Sequence, residues 1–300
     1  MRAARIAACA FVVAALAGVA AAQGQAVVAD NQASPWVELH NARVRLLAGP
    51  SAAKAAKSYL AGVEITLGEG WKTYWRMPGD AGVPPNFDWA GSTNVARLEV
   101  LYPAPSRLHE PGAETVGYKN SVLFPVEVVP KDASRPVELA LVMEFGVCRE
   151  ICIPAEAKFS LTLPPAGMPG NPSPAMLAAL ERVPRLQTRR RADDPQVMRA
   201  TAFLEGGAPR LIIVARFPQG ERGADLFIEA PDGLYVPMAK RLPDIGEGGE
   251  PRLEADSASG LIRFEVDLAR TGNAHELRGK TLRLTLVSDA SATETAWTVP

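Results

Sequence analysis

Apolar and polar positions alternate most regularly between residues 137 and 163. Val137, Leu139, Leu141, Met143, Phe145 and Val147 take turns with Glu138, Ala140, Val142, Glu144 and Gly146, a period of two that predicts a strand with one face in a core. Ala157, Phe159, Leu161 and Leu163 against Lys158, Ser160 and Thr162 predict its return, so this stretch reads as a hairpin. Further strands are predicted over Trp36 to Leu47, Tyr59 to Leu67, Val95 to Tyr102 and Ser121 to Val129, each set off by Pro, Gly or Asn. Short strands at this spacing, with hardly any helical period, predict a sandwich of antiparallel sheets.

The second half repeats the pattern without repeating the sequence. One helix is predicted over Pro174 to Val183, where Met176, Leu177, Leu180 and Val183 fall at helical spacing behind a proline. After it, Leu211 to Phe217, Asp225 to Ala230, Leu234 to Met238, Leu261 to Leu268, Thr281 to Val287 and Thr295 to Val299 read as short strands of a second sandwich. Between the halves lies Leu163-Pro164-Pro165-Ala166-Gly167-Met168-Pro169-Gly170-Asn171-Pro172-Ser173-Pro174, too rich in Pro and Gly to continue a strand or helix. The expected fold class is therefore all-β, with one domain over residues 23–165, a Pro/Gly-rich linker and a second β-sandwich domain over 175–300.

The N-terminus changes the picture of where the chain works. Met1-Arg2-Ala3-Ala4-Arg5 is basic, Ile6 to Val19 is apolar and Ala20-Ala21-Ala22 offers small residues for cleavage, the layout of a signal peptide over 1–22. A membrane anchor needs about 20 apolar residues, more than this run supplies before Gln23. Cys9 should leave with the leader. No later stretch is long and apolar enough to span a bilayer, so the mature chain is expected to be soluble and exported, most simply to a bacterial periplasm. Loss of Arg2 and Arg5 leaves 30 basic against 33 acidic residues, which excludes a polycation for nucleic acid or anionic lipid.

Two cysteines then remain, Cys148 and Cys152, in Gly146-Val147-Cys148-Arg149-Glu150-Ile151-Cys152-Ile153-Pro154. In an oxidising compartment so close a pair should close into a small ring. A loop of about five residues gives roughly 2 kcal/mol of loop-closure stabilisation, against about 3 for 15 residues, so the ring is a poor staple. Its place in the hairpin connection puts both sulfurs near the surface, open to a partner's thiolate. Arg149 favours a thiolate and Glu150 opposes one, so the thiol pKa values stay open. The chain has no glycine-rich phosphate loop, nucleophile elbow, His-Glu-x-x-His or Cys-x-x-Cys. Its three histidines, His40, His109 and His275, are scattered, and the second cysteine would quench a Cys-His hydrolase. Arg189-Arg190-Arg191 reads as solvated surface, and Trp71, Tyr74, Trp75 and Trp89 as the plug at one end of a sandwich.

Gly70-Trp71-Lys72-Thr73-Tyr74-Trp75-Arg76-Met77-Pro78-Gly79-Asp80-Ala81-Gly82, Phe87-Asp88-Trp89, Gly117-Tyr118, Val122-Leu123-Phe124-Pro125-Val126 and the Cys148 to Pro154 segment together resemble one family. It is that of the N-terminal periplasmic domain of the disulfide reductase DsbD and its copper-tolerance relative ScsB. The likeness covers most of residues 30–165 and is weaker over 175–300. It implies an immunoglobulin-like domain that takes electrons from a membrane-embedded or thioredoxin-like reductase and hands them to periplasmic thioredoxin-fold proteins. It also implies that Cys152 forms the mixed disulfide and Cys148 resolves it, with no small cofactor. The family's transmembrane hub and thioredoxin domain are not in this sequence, so a separate electron donor is expected. Where the DsbD domain has an aromatic cap before its Gly-Tyr region, this chain reads His109-Glu110-Pro111-Gly112-Ala113-Glu114.

Two readings from other classes compete. One is a copper-tolerance module that binds Cu(I) through both thiolates, completed by Met143 or His109. The other is a redox-inert adaptor whose disulfide is structural.

Overall fold

The computed structural model describes residues 33–51, 58–110, 112–165, 171–231, 234–242, 260–269, 271–272 and 274–300. The leader expected over 1–22, with Cys9, lies outside the described residues, as do 166–170 at the centre of the linker and Pro111. Among the described residues no helix is long and apolar enough to cross a membrane.

The fold is all-β, two immunoglobulin-like sandwiches joined by the Pro/Gly-rich segment. The first contains β1 (Val37–Leu39), β2 (Ala42–Ser51), β3 (Tyr59–Leu67), β4 (Lys72–Gly79), β5 (Asn86–Asp88), β6 (Val95–Val100), β7 (Ser106–Glu110), β8 (Ala113–Lys119), β9 (Ser121–Pro130), β10 (Val137–Cys148) and β11 (Cys152–Leu163). One sheet runs β1-β2-β3-β9-β6; the other runs β11-β10-β4-β8-β7, with β5 also on β10. The expected strand from Trp36 is broken at Asn41, whose positive φ of 54° turns β1 back onto β2. Helix α1 (Pro174–Arg182) follows, its N-terminal amide at Met176 donating to the Ser173 hydroxyl. Met176 is buried with Leu60 and Leu123, so α1 seals the outer face of the first sheet.

The second sandwich contains β12 (Arg185–Leu186), β13 (Gln196–Phe203), β14 (Arg210–Arg216), β15 (Asp225–Glu229), β16 (Lys240–Arg241), β17 (Leu261–Asp267), β18 (Thr281–Val287) and β19 (Ala292–Thr298). Its sheets run β12-β19-β18-β15 and β13-β14-β17-β16. Leu234 to Met238, expected as a strand, makes no ladder; Pro237 has no amide to give one, and the segment instead buries Val236 against the core.

The alternation over 137–147 does what its period requires. Val137, Leu139, Leu141, Met143, Phe145 and Val147 all lie in the core between the two sheets of the first sandwich. Parity therefore sends Cys148 to the opposite face of its sheet. On β4, Trp75 joins the core and Tyr74 does not.

The first core does not end at the linker. Phe227, Val287 and Ala292 from the second sandwich belong to it, and the Phe227 ring lies 5.8 Å from that of Trp75. Beside them Arg76 stacks on Trp75 at 4.3 Å, grips Glu229 through two bonds of 2.8 and 2.7 Å, and also bonds Glu294. Arg107 grips Asp225 through bonds of 2.9 and 2.6 Å and donates to the Ala239 carbonyl at 2.8 Å. Bidentate guanidinium pairs with little solvent are expensive to break from one side only, because the remaining carboxylates stay desolvated. Arg76→Ala should therefore lower unfolding stability by about 3 kcal/mol. Urea denaturation checks this, and a loss below about 0.5 kcal/mol would put the pair among ordinary surface ion pairs.

Candidate functional site

Cys148 closes β10 and Cys152 opens β11, directly opposite one another at the end of a ladder that starts at Val137 and Leu163. The cysteines thus end the two strands, and only Arg149, Glu150 and Ile151 connect them, where the sequence suggested that the connection itself held both. The Arg149 amide donates to the Ile151 carbonyl at 3.1 Å, which tightens this turn. A disulfide joins Cys148 and Cys152, with Cα atoms 4.1 Å apart.

The two sulfur-bearing residues are unequal. Cys148 is 1 % exposed, whereas Cys152 is open to solvent, and Ile151 beside it is 69 % exposed. The expectation that both lie near the surface thus holds for Cys152 and fails for Cys148. The reason is β4, which pairs with β10 at its very end, placing Lys72 opposite Cys148 and covering it from the inner side of the sheet.

Lys72 and Tyr74, two residues apart on β4, share the cysteines' face. The Tyr74 hydroxyl lies 3.1 Å from Cys152 Sγ. A disulfide sulfur has no proton, so the phenol donates. Burial, with a smaller contribution from the Glu110 charge, pushes Tyr74 up to about 12, and the phenol keeps its proton throughout the neutral range. Its ring is fixed by missing side chains. A Cβ on Gly82, whose φ is +122°, would stand 2.5 Å from one edge of the ring, and a Cβ on Gly146 would stand 3.3 Å from the other. The Gly146 amide donates to the Val83 carbonyl at 3.3 Å, tying this strap to β10.

Lys72 Nζ lies 2.6 Å from Glu110 Oε1 and donates to the Arg149 carbonyl at 3.4 Å. Thr115 Oγ1 donates to the same Glu110 oxygen at 2.5 Å. Partial burial pulls Glu110 upward, but the bonds from Lys72 and Thr115, with the charges of Lys72 and Lys119, outweigh it and hold the carboxyl below its ordinary range.

The remaining candidates fall away from the sulfurs. His109 is 76 % exposed and faces Glu114 at 3.3 Å, and Met143 is in the core. His40 packs edge-on against Trp71, 5.6 Å between rings. Arg191 pairs with Glu181 on the surface. Trp75 is fully buried and Trp71 and Trp89 partly so, consistent with the expected plug, but Tyr74 leaves that group to meet Cys152. The aromatic at the sulfur therefore comes from β4 and not from the 109–114 stretch. Neither Lys72 nor Tyr74 was picked out as a site residue by spacing. Their separation of two, matched to a cysteine pair across a ladder, was the available signal.

A disulfide thus lies on an immunoglobulin-like sandwich, with Cys148 buried and Cys152 open beside a phenol. Residues 43–164 match the family described as "Thiol:disulfide interchange protein DsbD, N-terminal". The whole fold is similar to the crystal structure of the N-terminal periplasmic domain of ScsB from Proteus mirabilis. That likeness has a TM-score of 0.64 at 22 % identity and covers 90 % of this chain and 98 % of that one. No curated protein matches the chain.

The phenol's effect on Cys152 is measurable once the ring is open. A hydrogen bond to a charged acceptor contributes about 1.5–3 kcal/mol, and at an exposed sulfur the lower end applies, about one pKa unit. In reduced protein carrying Cys148→Ala, Tyr74→Phe should raise the Cys152 pKa by about one unit. The pH profile of alkylation reads this directly, and an unchanged profile would remove Tyr74 from the site.

Proposed function

We propose that the chain is a periplasmic thiol–disulfide exchange protein that passes reducing equivalents from a reductase to thioredoxin-fold partners through Cys148 and Cys152. The observation that carries this reading is the unequal exposure of the two cysteines. Only Cys152 can be reached in line by a folded partner, so the mixed disulfide forms there and Cys148 resolves it.

The chemistry needs sulfur atoms alone. In the reduced state the Cys152 thiolate attacks a partner disulfide, forms a bond to one partner sulfur and releases the other as a thiolate. Cys148 then gives up its proton to water and attacks Cys152 Sγ, expelling the partner's second thiolate and re-forming the ring. Two electrons pass from the Cys148–Cys152 dithiol to the partner disulfide. Reduction of the ring by a donor is the reverse sequence, with a donor thiolate attacking Cys152 and Cys148 leaving.

Opening the ring leaves the rest of the molecule in place. The β10–β11 ladder continues through every pair from Val147 and Ile153 to Val137 and Leu163, and its core face is already buried. The roughly 2 kcal/mol attached to a ring of this size is small beside that, so oxidation and reduction cycle without unfolding.

Trapping distinguishes the readings. Reduced Cys148→Ala, mixed with an oxidised periplasmic thioredoxin-fold protein, should accumulate a covalent complex through Cys152 on a non-reducing gel. Cys152→Ala should accumulate at least tenfold less. If neither variant traps a partner while both lose stoichiometric Cu(I), the pair is a metal site; if neither loss is seen, the disulfide is a staple.

A further inference from the structure

Among the described residues Lys72 is a buried lysine, 5 % exposed, and the sulfur-to-sulfur exchange makes no use of it. Its position is specific. The register partner of Lys72 on β10 is Cys148, and opposed residues on an antiparallel pair carry their Cβ atoms about 4.5–5.5 Å apart on one face. Its ammonium reaches the carbonyl of Arg149, the residue after Cys148, and so lies against the backbone of the ring. We propose that Lys72 is the charge partner of the Cys148 thiolate, the buried anion that forms each time the ring opens or closes. This rests on the exchange reading above.

The need for such a partner follows from burial. A thiolate is the form in which Cys148 leaves when Cys152 is attacked, and the form in which it attacks to close the ring. Placing that anion in a site with 1 % exposure disfavours it unless a cation or donors face it. The groups around it are Lys72 and Tyr74 from β4, Glu110 from β7, Thr115 from β8, Arg149 and Glu150 in the connection and Cys152 itself, with Lys119 of β8 one strand further, opposite Lys72. Tyr74 is directed at Cys152, and the Arg149 guanidinium is held away beside Gly70, where a Cβ would meet its Nε at 3.7 Å. Glu110 is an anion and cannot help directly. It anchors the ammonium, held in turn by Thr115. An ammonium has three donors. Glu110 and the Arg149 carbonyl take two, and the third is available to the sulfur when the disulfide opens.

The test is a titration that involves no partner, so its failure is separate from failure of the exchange reading. In the full chain carrying Cys9→Ser and Cys152→Ala, Cys148 is the sole thiol and its ionisation is followed by thiolate absorbance. Lys72→Met should raise the Cys148 pKa by about one unit, a tenfold loss of thiolate at fixed pH, while Lys72→Arg keeps the parent value. Because Lys72→Met strands the Glu110 charge, the double variant Lys72→Met with Glu110→Gln decides the matter and leaves no unpaired ion to disturb folding. It should stay about tenfold poorer in thiolate than the parent. Return of the double variant to the parent pKa would show that the lysine only neutralises Glu110 and would overturn the proposal, as would an unchanged pKa in Lys72→Met.

Discussion

The pairing register of β10 with β11 is the constraint from which the rest of the site follows. Core-facing side chains at every odd position from Val137 to Val147 fix which way the strand faces, and a slip of one residue would expose all of them. With that register locked, Cys148 must sit opposite Cys152 on the far face of the sheet. The apolar core thus places a disulfide that it never touches. Opening a ring of so little conformational weight would leave the strands aligned by burial further along the ladder.

Asymmetry comes from a second pairing. Strand β4 meets β10 only at its last residue, so Cys148 gains a strand on one side while Cys152, on the edge strand β11, has no further strand beside it. The same strand supplies Lys72 and Tyr74 to the reactive face and Trp75 to the core. One residue further, Arg76 reaches across to Glu229 and Glu294 of the second sandwich. A single short strand therefore ties together the sulfurs, the hydrophobic interior and the neighbouring sandwich, and Tyr235 of the latter adds a bond of 2.7 Å to Asp80 at the start of the Gly82 strap.

What the amino-acid pattern disclosed tracks how one-sided each element's surroundings are. β10 has a core on one face and a more polar environment on the other, and its alternation was plain; β3 and β18, covered on both faces for part of their length, were legible to the residue as apolar runs. β4 was not, because Lys72, Thr73, Tyr74 and Trp75 are buried on both faces and alternation vanishes when both sides are covered. The cysteine pair, and its closure into a small ring, were legible from spacing. Which sulfur is buried was not, since that depends on β4 placing Lys72 opposite Cys148 from 76 residues earlier in the chain. The pairs joining the sandwiches span 118 to 218 residues and leave no local trace.

The most direct measurement opens the native disulfide with a small thiol and maps where the adduct lies. Oxidised protein quenched shortly after exposure to glutathione should carry the glutathione on Cys152 in large excess, with Cys148 as the freed thiol, as read by mass spectrometry of the 148–152 peptide. An adduct found chiefly on Cys148, or shared equally between the two, would contradict the division of labour set by burial.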